Sequence, residues 1–201
     1  MKKIFILFSA AILALLLASC AEESNPAYDQ ENFTAIFDNN KFSASYFPID
    51  LKQTPDGGYL VLGGRRLEDS NFSGIYILKV DKYGHFIKEV EVDAQYVNPV
   101  GDLMESGGQY YFFCMDELTL QSQLVQLDAA AQAITIQTVN AGITYPTAAA
   151  VDGNNFILLS YNNVDKQTVI SLVNATGGLV TSKAFDIGAG DDVEEPLINH
   201  F

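Results

Sequence analysis

Apolar residues along this chain come in short runs, each closed by glycine, proline, aspartate or asparagine, a pattern of strands and tight turns with no helical period. The clearest stretch runs from Tyr46 to Val92. Phe47-Pro48-Ile49 and Leu51 lead into the turn Pro55-Asp56-Gly57-Gly58, and Tyr59-Leu60-Val61-Leu62-Gly63 follows. A polar loop then gives way to Ile75–Val80, the turn Asp81-Lys82-Tyr83-Gly84, and Phe86–Val92. Proline presets φ, glycine accepts positive φ, and aspartate bonds its own following backbone, so these turns connect four antiparallel strands.

The unit returns twice, at a period of about 50 residues. Asn98-Pro99-Val100 answers Phe47-Pro48-Ile49, and Ser106-Gly107-Gly108-Gln109-Tyr110 answers Asp56-Gly57-Gly58-Tyr59. Gln123–Asp128 answers Ile77–Asp81, and Ala133–Val139 alternates as an outer strand. Tyr145-Pro146-Thr147 opens a third copy, with turns at Asp152-Gly153-Asn154 and Asn174-Ala175-Thr176-Gly177-Gly178. Phe33–Phe37 reads as an extra strand before the first copy, and Glu195-Pro196-Leu197-Ile198 as the opening of another. The near-continuous apolar second and third strands of each copy predict burial on both faces.

The unit resembles blades of bacterial kelch-like and PQQ-type propellers, with their D-G-G-Y turn and a K-V/L-D-x-x-G turn before the last strand. The resemblance covers roughly residues 46 to 201. It implies an all-β chain: a β-propeller-like array of four-stranded antiparallel blades, about three full blades plus end strands. Propellers of this kind close with four or more blades. The expectation is therefore a piece of a larger propeller, with an open array or closure by oligomerisation as the alternatives.

The first residues obey another logic. Met1-Lys2-Lys3 is a basic start, and Ile4–Leu17 is an apolar run of about fourteen residues, short for a membrane span and right for a signal sequence. It closes with Leu17-Ala18-Ser19-Cys20, which resembles the lipobox of a bacterial lipoprotein precursor. That resemblance implies cleavage before Cys20, lipidation of Cys20, and a membrane partner reached through its acyl chains. The expected division is a signal peptide over 1–19, a lipidated tether over 20–32 and the repeat domain over 33–201. Glu22 and Glu23 resemble the export signal of surface-exposed lipoproteins in Gram-negative bacteria, and equally a solvated linker. The implied location is the outer membrane, facing the periplasm or the cell surface.

The formal net charge is −14, and it becomes more negative once Lys2 and Lys3 are removed. With no Lys/Arg cluster, such a body repels phosphate backbones, which excludes nucleic acid as a partner. With Cys20 acylated, Cys114 has no partner for a disulfide, and its place in Tyr110–Met115 marks it as a small buried hydrophobe. His85 and His200 lie far from any ligand cluster, and no nucleophile elbow or phosphate-binding loop occurs. No catalytic residue and no cofactor is assigned. Asp191, Asp192, Glu194 and Glu195 are a candidate for calcium against a plain acidic loop. Arg65 and Arg66 are candidates to receive a carboxylate or acidic sugar, against local pairing with Glu68 and Asp69. The expected function is a lipid-anchored binding or scaffolding module with a protein or glycan ligand at its loop face. The alternative is a piece of a propeller enzyme or quinone-cofactor domain, active in glycan processing, whose catalytic residues lie elsewhere.

Overall fold

The computed structural model describes residues 45–186 apart from positions 68, 69, 91, 133 and 141. The expected leader, the lipidation site Cys20 and the end strands at 33–37 and 195–198 lie outside the described residues.

Four strands, β1 (Tyr46–Gln53), β2 (Tyr59–Arg66), β3 (Ser73–Val80) and β4 (Phe86–Val90), pair in chain order as an antiparallel meander. A two-residue strand β5 (Tyr96–Val97) follows. A second meander comprises β6 (Met104–Ser106), β7 (Gln109–Asp116), β8 (Ser122–Leu127) and β9 (Ile134–Thr138). The third is β10 (Pro146–Asp152), β11 (Asn155–Asn162), β12 (Gln167–Asn174) and β13 (Leu179–Phe185). Because Val97 of β5 sits opposite both Gly74 of β3 and Met115 of β7, the first two meanders share one hydrogen-bonded sheet. The third meander is a sheet of its own. The chain is all-β and antiparallel, as its turn spacing predicts, and the sheets do not close on themselves among the described residues.

The turn chemistry works as read. Asp81 Oδ1 accepts from the amides of Tyr83 and His85, both at 2.8 Å, and Asn174 Oδ1 from those of Thr176 and Gly178, both at 2.9 Å. Asp128 Oδ1 does the same for Gln132 at 2.7 Å. Each turn needs one left-handed residue: Gly84 at φ 78°, Gly177 at φ 77°, and in the second copy Ala131 at φ 52°.

Pairing register shows which positions correspond. Tyr59, Tyr110 and Phe156 each face the residue that precedes the outer-turn Asp or Asn: Val80, Leu127 and Val173. From that alignment the stacking follows. Side chains alternate across a strand, so Tyr110, Phe112 and Cys114 of β7 point one way and Tyr111 and Phe113 the other. The first set packs with Leu60, Leu62, Ile75 and Ile77 of the first meander. The second packs with Ala149, Phe156, Leu158 and Val173 of the third. The rings of Tyr111 and Phe156 lie 4.9 Å apart, and those of Phe113 and Phe156 6.2 Å. Burial of each such side chain contributes roughly 1.5–3 kcal/mol.

Two expectations need correction. The inner strand of the second copy does not run unbroken from Asn98. It is interrupted between β5 and β6, because Pro99 has no N–H to donate and Asn98 and Asp102 are left-handed at φ 52° and 80°. Two-sided burial holds for the second meander only in full. In the third, Ile157 and Ile170 remain 39% and 42% exposed.

A middle layer with both faces covered should dominate stability. We expect Phe113→Ala to lower the unfolding free energy by about 3–5 kcal/mol. Leu118→Ala, in an exposed turn, should change it by no more than about 0.5 kcal/mol in the same urea titration.

Candidate ligand cleft

The prolines that open each copy have a common effect. Proline cannot donate to a ladder, so it is confined to edge strands and bulges. Accordingly the register of β1 with β2 slips between Pro48 and Asp50, and that of β10 with β11 between Pro146 and Ala148. In the second copy the strand is broken around Pro99, where Val100 N–H still donates to Phe113 O at 2.8 Å. These three irregular openings converge on one cleft of about 670 Å³, which Phe47, Ile49, Pro99, Val100 and Pro146 line with apolar surface. That is the size of a small-molecule site.

Polar groups complete the lining. Ser70, Asn71, Ser73, Asn98 and Thr147 supply amide and hydroxyl groups, and among the described residues Arg66 is the one charged lining residue. Asn98 is held by its N–H donating to Ser73 O at 2.7 Å. Its Oδ1 accepts from Ser73 N and Oγ, both at 3.2 Å. That clamp keeps a left-handed, pre-proline backbone in place at a cost of about 1–2 kcal/mol. Phe47 lays its ring across Gly64, where any Cβ would collide with it. Asp50 Oδ2 accepts from Leu103 N at 2.6 Å, tying the first inner strand to the second copy. Ser70 Oγ donates to Glu117 Oε1 at 2.5 Å and fixes the loop on the far wall.

The sequence candidates fare unequally. Arg65 and Arg66 are adjacent in a strand and therefore point to opposite faces. Arg66 reaches the cleft, while Arg65 sits half-buried opposite Tyr46 and Gly74. They cannot grip one ligand together. Glu68, Asp69, Asp191, Asp192, Glu194, Glu195 and His200 lie outside the described residues. His85 is exposed away from the cleft, its Nδ1 2.9 Å from Asp81 Oδ2. Cys114 is fully buried, and burial, with Asp116 nearby, pushes its thiol far above the usual range, so it is inert. Among the described residues, no group of three His, Cys, Asp or Glu side chains is placed to hold a metal.

One charged pair escaped the sequence reading. Lys79, 2% exposed in β3, donates to Thr54 Oγ1 and, at 3.0 Å, to Asp56 Oδ1. The Thr54 hydrogen bond first, then that of Lys79 and the Gly58 amide, holds the Asp56 carboxyl down at about 2. Gly58 has no room for a Cβ against the Val80 carbonyl and the Lys79 ammonium. The pair therefore locks the β1–β2 turn onto β3. Its partners lie 23 and 25 residues apart in the chain, so no local motif announces the pair.

No family model matches the chain, and no curated protein does. Among solved structures the chain is similar to one from a structural and mechanistic study of two prolyl endopeptidases, at 14% identity and a TM-score of 0.46. That likeness covers 71% of this chain and 20% of that one, so the chain spans one fifth of that protein's length.

Two outcomes follow from this geometry. Asn98→Gly keeps the left-handed backbone and Asn98→Ala does not. Both lose the Oδ1 bonds to Ser73, so alanine should cost about 1 kcal/mol more than glycine in chemical unfolding. Asp56 has a depressed folded-state pKa, so its contribution is present above the ordinary value of 3.8 and is lost as pH falls toward about 2. Its side chain is 58% exposed, which trims that contribution to about 1 kcal/mol. The stability gap between the wild type and Asp56→Asn should close across that window in acid titrations.

Proposed function

We propose that this protein is a lipid-anchored binding module of the bacterial cell envelope, built as a propeller-type stack of blades, whose cleft takes a carboxylate-bearing ligand such as an acidic sugar. One observation carries the reading. The corresponding openings of three repeated units meet at a single cleft, and among the described residues the one charge in its lining is the cation Arg66, in a chain of net charge −14. A guanidinium set among apolar walls and amide groups suits a planar carboxylate joined to a body that stacks on Phe47 and the prolines. The three meanders, with equivalent faces meeting in the same order, support the propeller-type reading. Leu17-Ala18-Ser19-Cys20 supports the anchor.

The binding test is calorimetric titration with oligomers of glucuronic or galacturonic acid, beside neutral oligomers of equal length. Acidic oligomers should bind, and Arg66→Ala should weaken them at least about tenfold, whereas Arg65→Ala should not, since that side chain lies on the other face. Equal binding of neutral and acidic oligomers, or no loss in Arg66→Ala, would sink the proposal. The anchor is read separately. Mass spectrometry of the chain from a Gram-negative host should show residues 1–19 removed and acyl mass on Cys20, with Cys20→Ser left unacylated.

A further inference from the structure

The two stacks in this chain are one interface used twice. In each, a leading face made by Leu60, Leu62 and Ile77 in the first meander, or Tyr111, Phe113 and Leu124 in the second, meets the trailing face of the next. By register, the leading face of the third meander is Ile157, Leu159, Ile170 and Leu172. It is the same apolar pattern, yet Ile157 and Ile170 are exposed. A patch of that kind calls for a partner.

We propose that this face docks the first meander of a second copy of the chain, head to tail. The trailing face of the first meander carries the required partners, with Tyr59, Val61 and Leu78 at the positions that Tyr110, Phe112 and Val125 occupy in the second, and Gly63 and Tyr76 where the second has Cys114 and Gln123. Charge agrees. In the second stack Gln137 packs beside Gly177 of the next outer turn. The corresponding residues are Lys183, opposite Ile170 in β13, and Gly84, in the turn built on Asp81. A lysine from one copy is thereby brought to a carboxylate-bearing turn of the other. Because the contact is heterologous, two copies close as a ring only if the same step repeats around one axis, which gives six meanders and two equal interfaces. The inference rests on the stacking and holds whether or not the cleft takes a sugar.

Native mass spectrometry of the full chain, released from detergent, tests it. The wild type should register at twice the mass of one chain at micromolar concentration. Ile170 is exposed in a single copy, so Ile170→Glu should still fold, as a cooperative circular-dichroism melt will verify. Its dissociation constant should rise by about 100-fold or more, the effect of burying an unpaired charge. Val164→Glu, in a loop off this face, should leave the double mass unchanged. Lys183→Glu should weaken association with a stronger effect at low salt. A single-copy mass for the wild type would overturn the proposal, as would a pair that survives Ile170→Glu. Should Ile170→Glu fail to melt cooperatively, Ile170→Thr replaces it, and an undiminished pair in that variant would count equally against the proposal.

Discussion

Everything in this molecule leans on β7. Its alternate side chains are pressed from both sides, Tyr110, Phe112 and Cys114 by the first meander, Tyr111 and Phe113 by the third. A four-stranded meander has two apolar faces and is marginal while either is wet. Stacking resolves this for the middle copy completely and for the outer copies by half. The same requirement explains why the chain repeats at all. A single copy cannot cover itself, so the sequence must supply another copy with a complementary face at a fixed interval.

The cleft is a by-product of that stacking and of one recurrent residue. Proline near the start of each inner strand removes a donor and forces a bulge or a break. Where three such strands are brought side by side, their irregular ends leave space that regular ladders would have filled. Around that space the backbone is held by specific bonds: Asn98 to Ser73, Asp50 to Leu103, Ser70 to Glu117. These bonds join different copies or different strands of one copy, so the cleft is as rigid as the stack. Phe47 lying on Gly64 shows how closely its inner wall is fitted.

Electrostatics plays a local part. The Lys79–Asp56 pair, with Thr54, replaces an apolar contact at one end of the first interface by a turn lock. The equivalent positions in the other copies are Gln126 and Leu172, paired in register with Tyr111 and Ile157. The three copies thus solve the same edge differently: by an ion pair, by an amide and by an aliphatic side chain.

Much of this was legible in the residues alone. Turn chemistry places the strands: Asp81, Asp128 and Asn174 cap their turns because their side-chain Oδ1 atoms accept from amides two to four residues on, a local event that needs no tertiary partner. Period-two alternation in β7 and its neighbours declares which side chains share a face, and the spacing of copies declares the repeat. Tertiary structure alone decided the rest. Whether Arg65 or Arg66 lines the cleft depends on which face of β2 the second copy covers. That Phe47, Pro99 and Pro146 line one cleft depends on how the meanders stack. Neither is a property of a local segment, because both arise from contacts between residues about 50 positions apart, where sequence pattern carries direction but not distance.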